Sequence, residues 1–397
     1  MLLVNRFGRV VDIQEPDVIK SMLKFKRMRE ATPEEVEAFH QKQTERSISG
    51  AGVTADNSFY FNTVRNSPDG YGMSRDVIKS ELMRLGILPS ETNLNQKVGL
   101  LYSYPNAVLQ MQNDVRLIFT MFESDKIPDD WPEYLREADE VIVPSKWCQK
   151  VFKKSGVETT VVPLGYNHRV FKYIERPIPV EENKDFTFIH YNAFNVRKGF
   201  FEIMKAFEAE FEPHEPVKLI LKTTTEHPPL PLPKSMYPNI EVIKGQVKDF
   251  ELVNILGRAN CMVFPSRGEG FGITPLEAMA TGLPAIIPNA HGMSEYFNPD
   301  YMLEVKVKEK TPALYRRFKG EDVGDMVLCD IDDLRKKMRY AYNHQREMKQ
   351  LGKKASEYVK QWTYENTAKM LAEIINKWMA ADVPKRPESK FLFVDKI

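Results

Sequence analysis

Two glutamates, Glu269 and Glu277, stand with seven residues between them in the run CMVFPSRGEGFGITPLEAMATGLPAIIP, residues 261–288. The run reads as a short apolar strand, a tight polar loop, the start of a helix, its stop, and a second strand. Gly268, Gly270 and Gly272 allow sharp turns and close approach of backbone to a ligand. Thr274-Pro275-Leu276-Glu277 has the spacing of a capping box, with Thr274 expected as N-cap and Pro275 at the first helical position. A helix N-terminus facing a glycine loop after a buried strand is an anion site. A diphosphate there would have a carboxylate on either side. Lys198 follows a strand and precedes Gly199, which puts a cation at a strand's C-terminal end, where open α/β sheets bind ligands.

Other candidate chemistry is weaker. Asp330-Ile331-Asp332 has a metal-motif spacing but precedes a charged helix, so N-capping is the better reading and no catalytic metal is expected. Cys148, Cys261 and Cys329 are far apart and odd in number, which suits reduced thiols rather than a disulfide framework or zinc site. His168, His190 and His291 read as local hydrogen-bonding residues. The Lys/Arg-rich stretch 335–354 reads as a solvated helix face, with an acidic acceptor surface as the lesser alternative.

The elements that must position these residues alternate strand and helix. Strands are expected at 58–64, 97–102, 116–122, 139–145 and 159–165, with helices at 74–86 and 146–156. A proline-rich charged stretch, 175–185, is the expected interdomain linker. A second strand–helix series follows, beginning at Asp185 and including an edge strand at 295–305 and a long helical run from Asp330 to Trp362. Two doubly wound domains result. The domain plan is an appendage at 1–50 with a strand and a helix opening at Thr32, a first Rossmann-like domain at 51–177, a second at 178–361, and at 362–397 a helix crossing back to the first domain, plus a tail. The small polar stretch 47–57 suits a linker.

Composition is that of an ordinary globular chain of 397 residues, 42% hydrophobic and 28% charged, with net charge +1. Global charge therefore argues for neither a nucleic-acid nor a membrane partner. Without an 18-residue apolar run or a signal-peptide pattern, the expectation is a cytoplasmic protein with no transmembrane segment.

The segment FPSRGEGFGITPLEAMATGLPAI (264–286) resembles the donor-site signature of the retaining GT-B glycosyltransferases of the family-4 type. DGYGMSRDVIKSELMRLG (69–86), the stretch 119–171 and FTFIHYNAFNVRKGFFEIMKAF (186–207) are similar to three further segments of that family. The resemblance covers the chain from about residue 57 to the final helix and leaves the first 50 residues outside. It implies a GT-B fold, two Rossmann-like domains facing across a cleft, and transfer of a sugar from a nucleoside diphosphate with retention, UDP- or GDP-sugar being the expected donor and no other cofactor. By the same resemblance Glu277 holds the ribose hydroxyls, Glu269 the sugar hydroxyls, and Lys198 the leaving diphosphate. Phe271, Gly272, Ile273 and Thr274, after Gly270, offer backbone N–H groups to it. Gly70 and Gly72 would let the first loop approach the donor or acceptor. The family often has an arginine where this chain has Ala193, and Arg197 is the expected substitute. It often has a histidine where FTMFESDK has none, and Glu123 stands nearest that place. A glycan or glycolipid is the default acceptor. A hydroxymethylated base in phage DNA is the alternative, prompted by the charged N-terminal module. A sugar-nucleotide epimerase or a non-catalytic nucleotide-sugar binder on the same fold completes the set of readings.

Overall fold

The computed structural model describes residues 2–5, 10–12, 28–30, 32, 57–63, 70–91, 93–226, 238–315, 317–318 and 320–386. The chain divides into two compact units, Met1–Asn57 and Ser58–Ile397. In the first, β1 (Leu2–Asn5), β2 (Val10–Asp12) and β3 (Met28–Glu30) form an antiparallel sheet in the order β2-β1-β3. The expected helix after Thr32 and the linker before Asn57 lie outside the described residues.

The second unit opens with β4 (Ser58–Thr63), α1 (Gly70–Arg84), β5 (Leu88–Ser90), β6 (Val98–Tyr102), β7 (Val115–Phe119), α2 (Trp131–Leu135), β8 (Glu140–Val143), α3 (Lys146–Lys154) and β9 (Thr160–Val161). The sheet is parallel, in the order β5-β4-β6-β7-β8-β9. Every residue of β6 and β7 is buried, as strands covered on both faces require. Two expectations need correction here. Strand β7 stops at Phe119, so Glu123 lies in the following loop rather than at a strand end. Gly70 and Gly72 lie in the first turn of α1, not in a loop, because the helix starts earlier than its apolar periodicity suggests.

A second parallel sheet is built from β10 (Phe186–Asn192), α4 (Phe200–Glu210), β11 (Val217–Thr223), β12 (Ile240–Ile243), α5 (Asp249–Gly257), β13 (Cys261–Val263), α6 (Ile273–Ala280), β14 (Ala285–Ile287) and β15 (Leu303–Glu304). Its order is β12-β11-β10-β13-β14-β15, so the order in which strands are added to the parallel sheet reverses between β10 and β13. A crevice opens at such a switch point, beyond the strands' C-terminal ends. Of the edge strand expected at 295–305, only Leu303–Glu304 forms. A 3-10 turn occupies His291–Glu295, and Pro299, which cannot donate to a ladder, follows it.

The linker is tied down rather than free. Arg176 is buried, and its guanidinium donates to the carbonyls of Ile174, Leu256, Ala259 and Thr281. An antiparallel hairpin, β16 (Val307–Pro312) with β17 (Asp325–Cys329), has no counterpart in the sequence reading. Its first strand, VKEKTP, is largely exposed and carries no alternating apolar signal. The long helical run is two helices, α7 (Ile331–Asn343) and α8 (Gln345–Tyr358), broken at His344. Helix α9 (Tyr364–Ala380) packs on the first sheet's domain, where Thr367 Oγ1 donates to Pro163 O at 2.8 Å and Lys97 Nζ to Met379 O at 2.8 Å. Gly165 permits the crossing, since a Cβ there would lie 2.3 Å from the Thr363 carbonyl carbon.

Candidate functional site

The site is assembled from the loops after β10 and β13, at the switch point. After β10 the chain makes a 3-10 turn, Val196–Lys198, whose start is capped by Asn195 accepting from Lys198 N at 3.1 Å. Gly199 then takes φ +79°, and a Cβ on it would lie 2.4 Å from Pro265 O. Only glycine lets this turn press against the β13 loop. Arg197 and Lys198 thereby meet Glu269.

Lys198 Nζ donates to both Glu269 oxygens, at 2.7 and 2.9 Å. Arg197 bridges Glu269 (Nη1–Oε2, 3.3 Å) and Glu123 of the first domain (Nη2–Oε1, 3.2 Å). Ser266 Oγ donates to Glu269 Oε1 at 2.7 Å. Two cations and two carboxylates thus form one mostly buried cluster of zero formal charge. Burial opposes the charge on Glu269, yet Lys198 and Arg197 outweigh it and hold the carboxyl below its ordinary value. The Lys198 ammonium is lowered by burial and then by Arg197, against the pull of Glu269. Burial likewise opposes the Arg197 charge, but Glu123 and Glu269 raise it overall.

Helix α6 begins two residues earlier than its sequence suggests. Its N-cap is Gly272, at φ +90°, and no side chain caps it. Thr274 is therefore inside the helix, where its Oγ1 accepts from Asn192 Nδ2 at 3.3 Å, and the expected capping box with Glu277 does not form. The glycine cap wins because it can take a left-handed conformation that threonine resists. With no side-chain cap, the first turn of α6 at Ile273 and Thr274 has the character of an anion site. Phe271 itself is a core side chain, 1% exposed and packed edge-on to Tyr296. Gly270 O accepts from Ser145 Oγ of the first domain at 2.8 Å.

Glu277 stands apart from the cluster and is partly exposed. Tyr191 Oη lies 3.0 Å from its Oε2 and 2.8 Å from Thr274 O. Burial lifts the Glu277 carboxyl to about 8; the Tyr191 hydrogen bond pulls it down and Asp249 adds to the rise.

The site thus brings Glu123, Arg197, Lys198, Glu269, Gly270, Phe271, Gly272, Ile273, Thr274 and Glu277 to one side of the second sheet. The loop before Gly70 and Gly72 lies outside the described residues. Sequence reasoning missed Tyr191, Ser266 and the hairpin's Tyr315, which donates to Glu123 Oε2 at 3.1 Å. Ser266 was findable, three positions before Glu269 in the same loop. Tyr315 was not, since nothing in a hairpin far along the chain announces its partner.

Among the described residues no three His, Cys, Asp or Glu side chains gather as metal ligands. Asp330 caps α7, accepting from Asp332 N and Asp333 N. Half of the eight Lys and Arg residues in 335–354 are engaged in ion pairs: Arg335 and Arg339 with Glu210, Arg339 also with Glu215, Arg346 with Glu181 and Lys349 with Glu175. No helix among the described residues is long and apolar enough to cross a membrane.

Residues 172–310 match the family profile described as "Glycosyl transferases group 1". An inferred glycosyltransferase, ORF313 of Acidianus filamentous virus 1, is 33% identical over 119 residues, 30% of this chain and 37% of its own length. The chain thus spans little more than a third of that relative. Inferred glycosyltransferase 45 of the Sulfolobus islandicus filamentous virus is 23% identical over 270 residues, 65% of this chain and 73% of its own. Among solved structures, the sucrose-phosphate synthase of Thermosynechococcus elongatus superposes with a TM-score of 0.61 at 15% identity, covering 82% of this chain and 100% of its own. The two parallel-sheet domains are the GT-B fold, and the group 1 segment spans the linker and most of the second domain.

Proposed function

We propose that this chain is a retaining glycosyltransferase that moves a sugar from a UDP- or GDP-sugar to an acceptor hydroxyl, a glycan or glycolipid by default. The observation that carries the reading is the Lys198–Glu269–Arg197–Glu123 cluster beside an uncapped helix N-terminus at the switch point. Such a place takes a diphosphate and surrounds it with groups for a sugar.

The donor's diphosphate lies against the N–H groups of α6 and draws Lys198 and Arg197 from their carboxylates. Glu269, released on one side, accepts from sugar hydroxyls, and Glu277 accepts from the ribose diol. The bond between the anomeric carbon and the phosphate oxygen breaks while the acceptor oxygen bonds to that carbon on the same face. The acceptor's proton passes to the leaving phosphate oxygen. Negative charge grows on the phosphate as the bond breaks, and fixed cations there lower the barrier. Because Lys198 and Arg197 belong to the chain, this route needs no metal ion. Glu123, on the first domain, faces the acceptor side.

The test is nucleoside diphosphate release from UDP-, GDP-, ADP- and dTDP-sugars, alone and with glycan, glycolipid and hydroxymethylated DNA acceptors. Acceptor-stimulated release, an unchanged anomeric configuration in the product by NMR, and loss of both in Glu269→Ala are expected. Release without acceptor consumption, yielding an epimerised sugar, would favour the epimerase reading.

A further inference from the structure

His291 sits where its backbone and its ring are both held at a cost. Its φ is +54°, a left-handed value that non-glycine residues rarely adopt. Such strain persists only where the surroundings enforce it, and it gathers at binding sites. The enforcement is visible in the next residue. Gly292 N donates to Glu269 O at 2.8 Å, and a Cβ on Gly292 would lie 2.1 Å from Gly270 O and 2.5 Å from Phe271 N. The backbone at 291–292 is thus pressed directly onto the donor loop. The imidazole is 7% exposed and lies against Trp147 of the first domain, ring centroids 4.5 Å apart. Its Nδ1 is buried without a hydrogen-bond partner. An orphaned buried polar atom forfeits free energy that a ligand's hydroxyl would restore.

The chemistry of the missing partner follows from the surroundings. Burial lowers the imidazole to about 4, so it is neutral near pH 7 and offers one donor and one acceptor nitrogen. A phosphate would be better served by Lys198 and Arg197. A hydroxyl, which both donates and accepts, fits either tautomer. Since His291 is fastened to the Glu269–Phe271 loop, the hydroxyl is one on the sugar held by that loop.

We propose that His291 is a specificity-determining residue that reads one hydroxyl of the transferred sugar. The proposal rests on the glycosyl-transfer reading and adds a residue to it. It also gives the strain a reason: the left-handed residue stands directly before Gly292, whose backbone is fastened to the donor loop.

The experiment compares the full-length wild type with His291→Gly and His291→Asn on UDP- and GDP-linked glucose, galactose, mannose and N-acetylglucosamine. Nucleoside diphosphate release and Tm are recorded. The wild type is expected to prefer one sugar over its epimers. Glycine should narrow that preference about tenfold, the worth of one hydrogen bond to a substrate hydroxyl. Its Tm should fall by a few degrees, because loss of the buried ring against Trp147 outweighs relief of the strain at φ +54°. Asparagine tolerates the same backbone and carries an amide, so it should keep part of the preference. A preference unchanged in both variants overturns the proposal and leaves His291 a packing residue. So does a wild type indifferent to epimers. Absence of any turnover or nucleoside diphosphate binding by the wild type overturns the glycosyl-transfer reading itself, and this proposal with it.

Discussion

Lys198 Nζ grips Glu269 through both carboxylate oxygens, at 2.7 and 2.9 Å, with side chains only 11% and 8% exposed. A pair this dry is held by mutual neutralisation, and removing one member strands the other. Its residues come from loops 71 positions apart in the chain, and their meeting is what turns two ordinary charged residues into a site.

The first prediction concerns that pair. Lys198→Met should cost about 1–3 kcal/mol of stability, since Arg197 and Ser266 still partly satisfy Glu269. The double variant Lys198→Met/Glu269→Gln should recover most of it. Nucleoside diphosphate release should fall roughly 100–1,000-fold in both. Urea unfolding alongside steady-state kinetics checks the split; activity that returned with stability would assign the pair a structural role only.

The second concerns pH. The Glu277 carboxyl sits at about 8 in the folded protein against an ordinary 4.5. A raised acid favours the fold when protonated, so its contribution is complete below about 4.5 and is lost as pH rises through about 8. Glu277→Gln should therefore gain stability relative to the wild type between pH 5 and pH 9 by urea unfolding. The geometry agrees: Tyr191 has one hydroxyl proton and two oxygen neighbours, so a protonated Glu277 supplies the missing hydrogen. A wild-type-minus-variant difference flat across this range would refute the raised value.

A third follows from Gly199. Alanine there must place a methyl 2.4 Å from Pro265 O while holding φ +79°. Gly199→Ala should cost about 1–3 kcal/mol and displace Lys198, lowering release more than it raises donor KM. Thermal melts and kinetics on one preparation test both halves.

A fourth separates two contacts of the hairpin. Asp125 accepts from Asp325 N at 2.7 Å through one oxygen and pairs with Lys310 at 2.7 Å through the other. Asp125→Ala should cost about 1–2 kcal/mol, because it strips a partner from a half-buried N–H. Asp125→Asn keeps an acceptor oxygen and should cost less than half as much, since the Lys310 side chain is 64% exposed and such pairs are weak. Equal losses in the two variants would reverse that ranking.

Much of the fold was legible because its signals are local. Buried parallel strands such as β6, β7 and β10 announce themselves as apolar runs, and Gly282 and Pro284 mark the end of α6 in the sequence alone. The hairpin β16–β17 was illegible for the opposite reason: its charged, exposed first strand is stabilised by pairing and by what it lies upon. The N-cap of α6 was misread because threonine and glycine both satisfy local rules there, and Tyr296 Oη bonding Gly272 O at 2.7 Å comes from far along the chain.

The sequence by itself determined the alternation of strands and helices, the glycine loop and the presence of Glu269, Glu277 and Lys198 as candidate chemistry, since each depends on residues near one another in the chain. Only the tertiary structure decided that Lys198 and Arg197 rest on carboxylates, that Tyr191 faces Glu277, that Tyr315 reaches Glu123, and that His291 carries a strained backbone and an unpaired nitrogen. Those are relations between groups whose separation in sequence carries no information about their separation in space, and charge, burial and hydrogen bonding respond only to the latter.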